Sequence, residues 1–103
     1  MSTFRQETVS GGEVILIAGG PITGEAVQEF QHKIDAVTAG RPTLITLDLG
    51  HCPAMNSEAI GKLLSLRKRL AEQGKQLRIQ GCSDQLFSLF KTIRMDSLIP
   101  LQK

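Results

Sequence analysis

Apolar and polar positions along this chain switch between a two-residue and a 3.6-residue period, and turn-forming residues mark most of the switches. From Thr3 to Val9 the alternation is loose, with Phe4, Gln6 and Thr8 set against Arg5, Glu7 and Val9, which suits an edge strand. Ser10-Gly11-Gly12 is a turn signal, and Glu13-Val14-Ile15-Leu16-Ile17-Ala18 is an apolar strand. Two strands around a Gly-Gly turn predict a hairpin. Gly19-Gly20-Pro21-Ile22 breaks the second strand. Thr23 then stands as the N-cap of a helix carrying Val27, Phe30, Ile34 and Val37 on one face, and Gly40-Arg41-Pro42 ends it.

The stretch from Thr43 to Leu49 is apolar on both faces. That pattern predicts a middle strand covered by helices, or by a helix and a partner surface. Gly50-His51-Cys52-Pro53 turns the chain. From Asn56-Ser57-Glu58 a helix runs to Glu72 on Ile60, Leu63, Leu64, Leu66 and Leu70, and Gly74 is placed to cap its end. Gln76 to Gln80 alternates as a further strand. Ser83-Asp84 opens a last helix bearing Leu86, Leu89, Phe90 and Ile93, and Met95-Asp96-Ser97 turns into the short apolar segment Leu98-Ile99-Pro100-Leu101. The order is β-β-α-β-α-β-α. Two β-α-β crossovers favour parallel pairing and the hairpin adds an antiparallel pair. The expected fold is α/β: one domain over residues 1–103, with a mixed, mostly parallel sheet of four to five strands and three or more helices.

Composition narrows the function. Four Phe with no Tyr and no Trp predict an aliphatic core and no aromatic platform for stacking bases or sugars. A net charge of +2 without a long basic run excludes nucleic acid as the expected partner. The N-terminus lacks the apolar run of a secretion signal, and no apolar stretch approaches the roughly eighteen residues of a membrane span. Cys52 and Cys82 form no CxxC, and His51 does not complete a metal set. The expectation is a reduced, cytoplasmic protein with no metal, no cofactor and no membrane insertion. Cys82 reads as a small buried side chain and His32 as a surface residue.

Catalytic motifs of the Walker, HExxH and GxSxG types are absent. Ser57 as a nucleophile would need a histidine within hydrogen-bond reach, and the candidate is His51. The chain is therefore not expected to be an enzyme. Ser57 is instead notable for its position. A serine at a helix start lies beside backbone N–H groups that lack intrahelical partners, and these, with the helix dipole, can hold a phosphate. Its plain role there is as a cap.

Leu47-Asp48-Leu49, then Met55-Asn56-Ser57-Glu58-Ala59-Ile60-Gly61, then Leu63-Leu64 resemble the STAS domain of bacterial anti-sigma-factor antagonists. Asn56 stands where an Asp is usual in that family, Glu58 where a second Ser or Thr is usual, and Ala59 where Gly is usual. The resemblance implies a STAS fold and phosphorylation of Ser57 by a partner kinase that is itself the anti-sigma factor. Unphosphorylated, such a protein binds the kinase and frees the sigma factor; phosphorylation ends the complex, and a serine phosphatase resets it. ATP and magnesium belong to the kinase. The implied partner-binding residues are Thr23, Asn56, Ser57, Glu58, Ala59 and Lys62. A second class of relatives serves as fixed subunits of lipid-transport ABC complexes or of signalling scaffolds, and Asn56 and Glu58 lend that alternative weight.

Three further readings concern the helices. Glu58 suits the positive end of a helix dipole. Gly61 reads as a packing residue that lets its helix approach the sheet. Lys62, Arg67, Lys68 and Arg69, with Lys75 and Arg78, form a basic cluster, either a solvated helix face or a docking face for an acidic partner.

Overall fold

Side-chain alternation in the strands decides how the molecule is layered. In the computed structural model, which describes residues 4–9, 12–40 and 42–103, the first strand is β1 (Phe4–Val9) and the second is β2 (Glu13–Ala18). They pair antiparallel, with Phe4 opposite Ala18 and Val9 opposite Glu13. Thr3, Ser10, Gly11 and Arg41, named above in a strand and two turns, lie outside the described residues. Helix α1 (Glu25–Ala39) leads to β3 (Leu44–Asp48), helix α2 (Ser57–Glu72) to β4 (Gln76–Gln80), and α3 (Asp84–Thr92) to a short 3-10 turn at Met95–Ser97. The sheet order is β1-β2-β3-β4, with β2, β3 and β4 parallel. The terminal apolar segment extends it: Leu101 bridges Ile79, so a short fifth strand-like piece runs parallel to β4.

Both β-α-β crossovers step the same way across the sheet, so right-handed connections place α1 and α2 on one face. Val14, Leu16 and Ala18 of β2, Ile45 and Leu47 of β3, and Leu77 and Ile79 of β4 point into that layer and are buried. Val27, Phe30, Ile34 and Val37 of α1 meet them, as do Leu63, Leu66 and Leu70 of α2 and Leu86 and Phe90 of α3. Phe4 stacks on Phe30 with ring centroids 5.4 Å apart. The expected cover of β3 on both faces holds on the helix side alone. On the outer face Thr46 is buried because Arg78 reaches across it, donating to Thr46 Oγ1 at 3.3 Å and to Glu13 Oε1 at 3.3 Å.

The helix ends correct several expectations. Thr23 is not the N-cap of α1. Gly24 takes that position with φ 57° and no side chain caps the helix, while the Thr23 carbonyl accepts from the Ala26 N–H at 3.1 Å. At the end of α2, Gly74 follows the cap residue Gln73 with φ 71°. Its N–H bonds to Ala71 O and that of Lys75 to Leu70 O, a Schellman closure that favours glycine. In α3, Leu86 and Phe90 are buried, whereas Leu89 and Ile93 are 36% and 44% exposed and do not join the core face. Four apolar residues at helical spacing include both sides of a stripe wider than the short helix buries.

Gly61 also departs from its reading. It is exposed, and a Cβ there would meet nothing within 4 Å, so the residue does not admit the sheet. A mid-helix glycine costs about 0.5–1 kcal/mol relative to alanine. Gly61→Ala is therefore expected to raise the unfolding free energy by about that amount in urea denaturation; a loss of stability would mean that Gly61 does pack against something.

Candidate functional site

The C-terminal ends of β2, β3 and β4 lie together at one end of the sheet, where parallel α/β sheets place their sites. Here two loops are stitched to each other. The Ile22 N–H bonds to Ala54 O at 2.9 Å, the Asn56 N–H bonds to Ile22 O at 3.4 Å, and Ile22 and Met55 form an isolated parallel bridge. Thr23, exposed and next to Ile22, is thereby carried to the start of α2.

The cap of α2 is Asn56. Its backbone is extended, its Oδ1 accepts from the Ala59 N–H at 2.8 Å, and its carbonyl accepts from the Ile60 N–H at 3.0 Å. Ser57 is thus the first helical residue and not the cap. Its side chain is exposed and makes no hydrogen bond among the described residues. The N–H groups of Ser57 and Glu58 find no backbone acceptor there either, leaving two donors and the positive helix end beside a free hydroxyl.

Around this corner the predicted residues separate. Glu58 is exposed in the first turn. Lys62 donates to Gln31 Oε1 of α1 at 3.1 Å, and these residues with Gln28, His32 and Glu58 line a shallow cleft of about 300 Å³. Ala59 is fully buried, so its side chain seats the helix on the core and is not available to a surface partner. A second cleft of about 310 Å³ is apolar, lined by Pro53, Ala54, Met55, Gln85, Leu86 and Leu89. Gly61 lies one helical turn beyond Ser57 on the same exposed face and leaves that face flat.

Asp48, quoted above as part of a motif but given no role, organises the loop. Its Oδ1 accepts from the Gly50 N–H at 2.8 Å and its Oδ2 from Gln80 Nε2 at 3.2 Å, tying the β3–α2 turn to β4. A carboxylate two residues ahead of a glycine is the local signal for such a turn. Beside it Gly81, with φ 75°, is so close that a Cβ would sit 2.8 Å from Gly50 N.

The basic cluster does not form one face. Arg69 turns to α1, meeting Asp35 Oδ1 at 3.0 Å and Thr38 Oγ1 at 2.7 Å. The hydrogen bond from Arg69 to Asp35 is the main reason the Asp35 carboxyl is held below its usual range. Arg67, Lys75 and Arg78 face a separate cleft at the start of β4. Cys52 and Cys82 are both buried; burial pushes each thiol up, and Cys52 adds to the effect on Cys82. The Cys52 thiol donates to Ala54 O at 3.3 Å. His51 is exposed and makes no hydrogen bond to Ser57. Among the described residues no group of His, Cys, Asp and Glu could hold a metal ion, and no helix is long and apolar enough to cross a membrane.

The β-β-α-β-α-β-α order and the mixed four-stranded sheet are those of the STAS fold. The family model for the Mlab STAS domain matches residues 6–100, and the chain belongs to that family. Curated proteins give no match. Among solved structures, an anti-sigma factor antagonist from Mycobacterium paratuberculosis is 18% identical with a TM-score of 0.86, over 97% of this chain and 84% of that one. The phosphorylated form of the Bacillus cell fate determinant SpoIIAA is 19% identical with a TM-score of 0.77, over 97% and 91%. A sulfate transporter family protein from Wolinella succinogenes is 16% identical with a TM-score of 0.80, over 93% and 80%. At such identities the likeness establishes the fold. Anti-sigma factor antagonists and transporter domains share it.

Proposed function

We propose that this chain is an anti-sigma-factor antagonist, a protein-binding module without catalytic activity that is switched by phosphorylation of Ser57. Unphosphorylated, it binds a partner that is both anti-sigma factor and ATP-dependent serine kinase, releasing a sigma factor; phosphorylation of Ser57 ends the complex and a serine phosphatase restores it. One observation carries the reading: Asn56 takes over the capping, so the Ser57 hydroxyl is exposed and unengaged at the positive end of α2. The flat face left by Gly61 supports it by letting a second protein approach that end of the helix closely. A structural neighbour that carries a phosphate on the same fold is consistent with a module that survives modification.

The test is the intact mass of the chain isolated from its native cells, with peptide mapping across residues 54–62. A single phosphate on Ser57, absent from the Ser57→Ala variant, is the expected result. No phosphate under any growth or stress condition would overturn the switch. A second reading, a fixed subunit of a lipid-transport ABC complex or of a signalling scaffold, is favoured by Asn56 and Glu58 beside the serine. Under that reading the chain carries no phosphate and copurifies with a permease and an ATPase.

A further inference from the structure

The ladder of β4 is complete on one side alone. Gln76 N–H bonds to Thr43 O and Leu49 N–H to Gln80 O, so the even-numbered residues of β4 direct their backbone groups at β3. The odd-numbered ones face outward. Ile79 is satisfied there: its N–H bonds to Pro100 O at 2.9 Å and its carbonyl accepts from the Gln102 N–H at 2.9 Å. Leu77, two residues earlier, shares this outward direction. Its N–H finds no backbone acceptor outside the sheet among the described residues. In front of it opens a cleft of about 540 Å³ lined by residues that include Leu77, Leu98, Arg67, Lys75 and Arg78, with no carboxylate in the lining. Arg67 is engaged by Leu98 O at 3.3 Å and Lys75 by Gly40 O at 2.9 Å, so neither has a carboxylate partner among the described residues.

We infer that this cleft is a second docking site, distinct from the Ser57 corner, and that it takes an extended acidic segment of a partner protein by strand addition at Leu77. Backbone pairing with Leu77 supplies the register and the cations supply the selectivity. Side chains of an added strand alternate between faces. One set therefore points to the helix side, at Arg67 and Lys75, and the other lies over the outer face, where Arg78 turns away from the edge to pair with Glu13. A second copy of this chain is a poor occupant, because it would bring the same cations against one another. Lysine on a free edge also guards against edge-to-edge pairing, and the experiment separates a guard from a site.

The test titrates the full chain with an acetylated peptide of alternating Glu and Val, with a Lys-Val peptide of equal length as control, while amide exchange is followed by NMR. The site predicts binding of the acidic peptide alone, slowing of the Leu77 amide by about tenfold or more, and loss of both effects in Arg67→Ala/Lys75→Ala. Circular dichroism of that variant checks that it remains folded, and Arg69→Ala, on the α1 side, should bind as the parent does. No binding by either peptide, with the edge acting as a guard only, overturns the proposal. So does binding that leaves Leu77 unprotected and is reproduced by inorganic phosphate, which would mark a plain anion site. The result is independent of whether Ser57 is phosphorylated.

Discussion

Replacing Gly81 with alanine is expected to destabilise the protein by about 2–5 kcal/mol, which would lower the melting temperature by roughly 10 °C or more for a domain of this size. Two effects add. The residue has φ 75°, and a left-handed backbone costs a residue bearing a Cβ about 1–2 kcal/mol. The new Cβ would also stand 2.8 Å from Gly50 N, 2.9 Å from Asp48 Oδ1 and 3.1 Å from Gly50 Cα. Relieving that overlap in a closely packed turn costs about 1–3 kcal/mol more. Gly74→Ala separates the contributions, since Gly74 has φ 71° but open space around it. It should show the backbone cost alone. If thermal and urea unfolding give the two variants equal losses, the close approach of the β3 and β4 ends is not a constraint. Because the same contact holds the Asp48–Gly50 turn that leads into α2, Gly81→Ala should also broaden the amide resonances of residues 50–57.

Most of the fold is legible because it rests on local period. Glu13–Ala18, Ser57–Glu72 and Gln76–Gln80 coincide with the elements expected from the apolar pattern. What failed depends on partners distant in sequence. Leu89 and Ile93 have the spacing of a buried stripe, but α3 sits where Leu86 and Phe90 suffice to cover the core. Thr23 looked like a cap because its chemistry suits one, yet pairing of Ile22 with Ala54 and Asn56 fixes the loop and leaves Gly24 at the helix start. The strand Thr43 to Leu49 reads as covered on both faces, by helices or by a helix and a partner surface, yet its outer residue Thr46 is covered by Arg78 of the neighbouring strand. At the site, the serine and its helix were visible in the sequence. The choice of Asn56 over Ser57 as the cap, the role of Asp48 across two strands, and the flat face at Gly61 were not. Each depends on which of two adjacent residues, or which side of a helix, meets its surroundings.

Phosphorylation of Ser57 is expected to lower affinity for the partner by about 100-fold or more while changing the stability of the free chain by less than about 1 kcal/mol. Ser57 is exposed at the first position of α2, so the phosphate adds about −1.5 to −2 charge in water and not within the core. There it meets the free N–H groups of Ser57 and Glu58 and the positive helix end, which offset repulsion from the Glu58 carboxylate. The fold therefore has no reason to open. The complex does. A partner seated on the flat face from Ser57 to Gly61 must either strip water from a dianion or withdraw, and taking a charged group out of water costs several kcal/mol. The check compares phosphorylated and unphosphorylated chain, separated by ion exchange, in urea unfolding and in calorimetric titration with the partner. Ser57→Asp should show a smaller loss, because one carboxylate carries about half the charge. Equal affinity of the two forms would remove Ser57 as the switch, and a large loss of stability on phosphorylation would replace dissociation by unfolding.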